Sequence, residues 1–319
     1  MASANGHFRW LKPREIRWLI YLAVLLAVAA WRYLPRPWHP ALTVQTSHYQ
    51  IYSSATPRQT DDTARALELL YTAYASRLGN LKTWRPPAGP FQVKLYRDRD
   101  EMRRINPGLG WAEAFYAEPF CRAYYSGAEI NPYHWMMHEC THQLNHEAAH
   151  LRLAQWLEEG VAEYFSTSQI RSNGLALGCV DLNTYPVWWL DDLASTPDLA
   201  RNLTNGSVIP LRAIVSGHGG PGMSQKFNLY YLHWWTLTYF IFETPKYRDR
   251  ALPLLASGGG LDAFEKLIGP VDQVQTEWHE SVRRLKHDLF EQNCREVKSK
   301  NIPRPFNAPP PAENHPEAK

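Results

Sequence analysis

The sequence predicts an α+β fold in which a small N-terminal mixed sheet precedes a histidine-bearing helix and a mainly helical C-terminal part. Three observations predict it. Residues 42–52 (LTVQTSHYQIY) and Phe91–Tyr96 (FQVKLY) are short runs of β-branched and aromatic residues, as strands require. Residues 131–165 carry histidines at helical spacing. Beyond them, Tyr230–Glu243, Leu261–Leu267 and Val271–Phe290 read as helical or buried apolar segments.

Taken in order, the chain begins with Arg9, Lys12, Arg14 and Arg17, followed by an uncharged apolar run from Trp18 to Trp31. As a helix that run covers about 21 Å, which is short for a bilayer core of about 30 Å. Snorkelling of Arg17 and Arg32 and interfacial placement of Trp18 and Trp31 would extend it to a span. Two alternatives stay open: a cleaved signal peptide, with Ala27-Val28-Ala29 as the cleavage site, and a buried core helix. Residues 1–35 are read as a cytoplasmic basic tail with the anchor or signal segment, and either reading leaves the basic flank inside and exports the rest. Residues 32–41 contain three prolines and read as a linker.

Thr60–Leu78 is a helix with Thr60 or Asp61 as its cap and Ala64, Leu67, Leu70, Tyr71 and Tyr74 at helical spacing. Phe91, Val93 and Leu95 alternate onto one face of the second strand. A short helix near Arg99–Ile105 and one or two strands within 111–130 follow. Residues 170–224 are mixed. The globular part spans 42–297, and the Pro-, Asn-, Lys- and Glu-rich tail 298–319 reads as disordered.

Composition excludes several classes of function. With 319 residues, 45% hydrophobic and 20% charged, the chain is globular. A net charge of +3, no basic stripe and no phosphate loop argue against a nucleic-acid partner. The 13 Trp and 17 Tyr suit a large aromatic core better than a ligand surface. Cys121, Cys140, Cys179 and Cys294 form no CxxC pair and are either disulfides or buried thiols. Asn202-Leu203-Thr204 and Asn205-Gly206-Ser207 match the glycosylation pattern, which matters only in a eukaryotic secretory pathway.

The chemistry lies in Asn131–Phe165, NPYHWMMHECTHQLNHEAAHLRLAQWLEEGVAEYF. Asn131 suits an N-cap and Pro132 the first helical position. His138 and His142, four apart, project from one face and can share one Zn²⁺, which takes nitrogen ligands at about 2.0–2.1 Å. Glu139, rotated about 100° from His138, reaches the metal-activated water without being a ligand. A second helix through WLEEGVAEYF can fold back so that Glu159 supplies the third ligand and leaves one position open. Glu163, one turn on, is placed to orient a ligating imidazole.

His134, His138, His142, His146 and His150 recur every four residues, and His146-Glu147-Ala148-Ala149-His150 repeats the HExxH pattern. Each step of four drifts about 40° round a helix, so all five cannot face one ion. Only residues 151–158 separate His150 from Glu159, with no glycine to bend the chain. The metal is therefore assigned to the first pair.

HECTH followed by WLEEGVAEYF resembles the gluzincin peptidases, and more closely the peptidase-MA-like domains of unknown function found in bacterial envelope proteins. The likeness extends over roughly residues 42–290, with its specific motifs in 138–165. It implies a zincin-like fold, His138, His142 and Glu159 as ligands of one zinc per chain, and Glu139 as general base. It also implies that the strand before the active helix, here CRAYYS (121–126), pairs with extended substrate. Tyr231 matches a recurrent aromatic position, either an oxyanion donor or plain core.

The expected activity is zinc-dependent hydrolysis of a peptide or protein by a membrane-anchored or exported enzyme. The main alternative is a non-catalytic envelope binding protein on a peptidase-like scaffold. A metal buffer built on the histidine row would hold several ions.

Overall fold

Five strands form one sheet: β1 (Leu42–Gln45), β2 (Tyr49–Ser53), β3 (Phe91–Tyr96), β4 (Ala114–Ala117) and β5 (Phe120–Tyr124). Their order is β1-β2-β3-β5-β4, with β2, β3 and β5 parallel and β1 and β4 antiparallel at the two edges. The molecule is thus α+β with a mixed N-terminal sheet. The structure is a computed structural model that describes residues 12–34, 36–110, 112–172 and 174–300, with side chains except at Pro13 and 293–300. Arg9 and residues 301–319 of the expected disordered tail lie outside the described residues, and residues 298–300 of that tail are helical.

The expected single strand over 42–52 is a hairpin. Thr46 N–H donates to the Tyr49 carbonyl, and the Glu68 carboxylate ties down the turn by accepting from Thr46 Oγ1, His48 N–H and His48 Nδ1. Helix α1 is Pro13–Tyr33 and α2 is Pro57–Leu78. The latter starts three residues before the expected Thr60, because Thr56 and Gln59 form a reciprocal capping box with Pro57 at the first helical position. Thr60 instead bonds Ser53 Oγ and the Thr56 carbonyl inside the fold.

After α3 (Arg99–Ile105) come α4 (His134–Gln143) and α5 (Gln155–Ser166). A second hairpin follows, β6 (Ser168–Arg171) with β7 (Gly174–Val180). The remainder is helical: α6 (Leu199–Asn205), α7 (Leu211–Ser216), α8 (Phe227–Glu243), α9 (Pro245–Arg248), α10 (Ala251–Ala256), α11 (Leu261–Leu267) and α12 (Val271–Lys300).

One face of the sheet, with Tyr49, Ile51, Val93, Cys121 and Ala123 fully buried, joins a continuous core with α2, α4, α5 and α8. Trp156, Trp235 and Trp278 lie in that core, so much of the aromatic content is structural. Cys121 and Cys140 are buried free thiols, and Cys179 is free as well. Asn202 is fully buried, donating to Thr196 O and sharing a hydrogen bond with His279 Nε2, so the first glycosylation motif is inaccessible in the fold.

The apolar N-terminal run sits in a helix of 21 residues, about 31 Å long. It is long and apolar enough for a membrane anchor or a signal segment. Trp18, Leu25 and Trp31 are 64%, 66% and 74% exposed, which excludes a buried core helix.

Gly160 fixes how closely α5 approaches α8. A Cβ there would press on Thr238 Oγ1 and lie 2.5 Å from the Trp234 carbonyl oxygen. Gly160→Ala is expected to destabilise the fold by about 1–3 kcal/mol, overriding the gain in helix propensity of about 1 kcal/mol. Chemical denaturation checks it: an unchanged or raised midpoint would mean that the two helices do not meet at this glycine.

Candidate metal centre

The helix carrying the histidines begins at His134, not at Pro132. Asn131 caps a turn ahead of it, accepting from Tyr133 N–H while its side-chain amide donates to Asp181. Met136, Met137 and Cys140 bury one side of α4 in the core, and Leu144 just beyond it is buried as well. His138 and His142 face α5.

The four-residue histidine row does not survive as one helix. Leu144–Ala148 is a π-turn, in which Ala149 N–H reaches back to Leu144 O, and His150 adopts φ +49°. The sharp bend is thus made without glycine, α5 begins after the four residues 151–154, and α5 packs on α4. His146, with its side chain 53% exposed, lies 3.6 Å from Glu158, and His150 bonds Arg85 O. The second HExxH is therefore no second metal pair.

His138, His142 and Glu159 come together. Nε2 of His138 and Nε2 of His142 are 3.1 Å apart, and Glu159 Oε2 lies 3.3 Å from the first and 3.6 Å from the second. In a tetrahedral ion with bonds of about 2.0–2.1 Å, neighbouring donor atoms stand about 3.3–3.4 Å apart. The triangle matches that edge length.

The other imidazole nitrogens explain why a cation belongs there. His138 Nδ1 faces Glu163 Oε1 at 3.2 Å, and His142 Nδ1 faces Glu158 Oε1 at 2.8 Å. Carboxylates accept, so each Nδ1 carries the proton and each Nε2 presents a lone pair toward the other. Glu159 Oε2 adds another and is buried without a hydrogen bond. Converging lone pairs repel unless a proton or a metal ion lies among them. These residues can hold a metal ion.

The electrostatics follow. Burial alone would strip charge from both imidazoles, but Glu163 and Glu159 lift His138 well above its ordinary range, and Glu159 and Glu158 lift His142 to about 10. Burial pushes Glu159 upward, yet His142 and His138 hold it far below the usual carboxylate range. Protons and a divalent cation are alternative neutralisers of this cluster.

Glu158 is the residue the sequence reasoning missed. It accepts from His142 Nδ1 and from Asn145 Nδ2, whose Oδ1 accepts from the Tyr74 hydroxyl at 2.6 Å. Glu163 orients His138, and Ser166 Oγ donates to it.

Glu139 is not in the triangle. Burial raises its pKa against the pull of His138 and His142, and its carboxylate lies at the Tyr116 backbone N–H. Tyr116 belongs to β4, and among the described residues no further strand pairs with β4. The free strand edge at the site is therefore β4. CRAYYS cannot take that part, because its strand β5 is paired on both sides, with β3 and β4. The Tyr231 ring stands 6.4 Å from His138, packed against Phe227, Tyr185 and Trp234. Burial, then Glu159, pushes its hydroxyl pKa up, so it stays protonated.

No family model matches the chain, and no curated protein shows significant sequence similarity to it.

Proposed function

We propose that the protein is a zinc metallopeptidase of gluzincin type, with one zinc held by His138, His142 and Glu159. The observation that supports it is the triangle of two Nε2 atoms and Glu159 Oε2, edged by 3.1, 3.3 and 3.6 Å, with a buried carboxylate beside it that is not a donor. Two nitrogens and one oxygen with an open fourth position are a zinc hydrolase's donor set. Zinc bound there supplies Lewis acidity, making water a better nucleophile and a carbonyl more electrophilic.

The chain's own groups do the rest. Glu139, with its raised pKa, takes a proton from the attacking water and delivers it to the leaving amine. Glu158 and Glu163 keep both imidazoles in the tautomer that turns Nε2 inward. The open edge of β4 offers backbone hydrogen bonds to an extended peptide, with Tyr116 next to the base. Tyr231 is a protonated donor at the His138 side, suited to charge growing on the carbonyl oxygen. Helix α1 anchors this domain outside the cytoplasm or exports it as a signal.

Metal analysis with a peptide-library cleavage assay tests the reading. Purified protein is expected to hold one zinc and to lose cleavage on chelation, with recovery on zinc addition. Several tight zinc ions would mean a buffer, and one zinc with no cleavage of any peptide a binding protein.

A further inference from the structure

The two faces of the sheet are treated differently. One is core. On the other, Tyr96 and Tyr124 are covered by Trp38, Met102 and Ile105. Beyond them the face is open. Strand register places Thr43, Tyr52, Lys94, Arg122 and Phe115 in one row across all five strands. All but exposed Thr43 are half-buried.

Lys94 and Arg122 are direct cross-strand partners, an arrangement of like charges that destabilises a sheet. Among the described residues neither cation forms an ion pair with a carboxylate. They are held instead by rings and carbonyls. Lys94 Nζ lies 4.3 Å over Phe120, and the Arg122 guanidinium 5.0 Å over Phe115. Arg122 Nη1 also donates to the carbonyls of Ala117 and Phe120. Two opposed cations without a counter-charge, set among half-exposed aromatic rings, suit an anionic interface that accepts both.

The path of the chain indicates which interface. Helix α1 ends at Tyr33. Arg36 N–H then bonds Ile105 O at 2.6 Å, and the Trp38 ring packs on Tyr96 with Lys94 Nζ 5.9 Å from its centre. Five residues span at most about 18 Å, so Trp38, which meets Lys94 in the middle of the row, lies within that reach of the end of α1.

We propose that this open face docks on the anionic phospholipid headgroups of the membrane that α1 enters. The inference rests on α1 being a retained anchor. Docking would hold the metal centre, on the other side of the sheet, at a fixed height and turned away from the bilayer.

The test uses the full chain in vesicles of phosphatidylcholine, alone or mixed with phosphatidylglycerol. Tyr52, or Trp18 in α1 as a control, is replaced by the photocrosslinker p-benzoylphenylalanine. Lipid adducts are expected from position 18 in both vesicles, and from position 52 chiefly in the anionic ones. Lys94→Gln, which relieves a repulsion and leaves the Arg122 hydrogen bonds intact, should cut adducts at 52 about fivefold, and high salt should do likewise. Adducts at 18 with none at 52, or adducts at 52 indifferent to lipid charge, would overturn the docking face and leave the anchor standing. No adducts at 18 would remove the anchor, and the proposal with it.

Discussion

Glu139→Gln is expected to keep zinc at one per chain while peptide cleavage falls by about 10²–10⁴-fold, the usual contribution of a positioned proton-transfer group. The substitution is nearly isosteric and removes only the ability to take a proton. Three facts separate Glu139 from the ligands. It precedes Cys140 on α4 and is rotated away from the two imidazoles, it lies outside the triangle, and its carboxylate sits at the Tyr116 N–H of the edge strand. Burial raises its pKa, so its ionised form is held in the native state at some cost. A neutral amide relieves that cost, and thermal stability should hold or rise. A combined measurement of zinc content, melting temperature and turnover on a fluorogenic peptide reads all three effects. Loss of zinc would make Glu139 a ligand, and unchanged turnover would place the base elsewhere.

The parts of this protein legible in its sequence are those that short-range geometry dictates. His138 and His142 meet because one helical turn brings them together, and that holds whatever surrounds the helix. Glu159 lies on another helix, yet the acidic cluster in WLEEGVAEYF was visible, and the structure closes the triangle with it. Glu158 was not distinguishable from its neighbour by spacing. Only the rotation of α5 against α4 decides which of two adjacent glutamates meets Nε2 and which meets Nδ1.

The errors have the same origin. Asn131 and Pro132 form a convincing helix start, but Asn131 Oδ1 closes only a local turn onto Tyr133 N–H, its amide ties that turn to Asp181 just after β7, and α4 begins at His134. The even histidine row suggested a longer helix, whereas the π-turn at 144–148 breaks its phase and sends His146 and His150 elsewhere. The bend needed no glycine because His150 takes the left-handed region itself. Strand β5 precedes the histidine-bearing helix in sequence, but sheet order, a long-range property, gives the free edge to β4. Thr56 and Gln59 form a capping box that starts the helix ahead of Thr60 and Asp61.

Glu159→Ala should have the largest effect on the metal. It deletes one corner of the triangle and leaves His138 and His142 with their Nε2 atoms 3.1 Å apart and no anion to share the ion. Removing a group that only orients an imidazole, as in Glu158→Gln or Glu163→Gln, costs about 10–100-fold in metal affinity. Loss of the ligand itself should exceed that range. Stability reports the difference without any activity assay. A metal at about 1,000 times its dissociation constant stabilises the folded state by about 4 kcal/mol, so wild type should melt higher as zinc is added. Glu158→Gln should follow the same curve at higher zinc. Glu159→Ala should show almost no zinc-dependent shift, and its apo form should be weaker than wild type, since the protonated imidazoles lose the carboxylate that faces both. If Glu159→Ala bound zinc as tightly as Glu158→Gln, Glu159 would be one more orienting carboxylate, and the third donor would have to be sought among the other acids of the cleft.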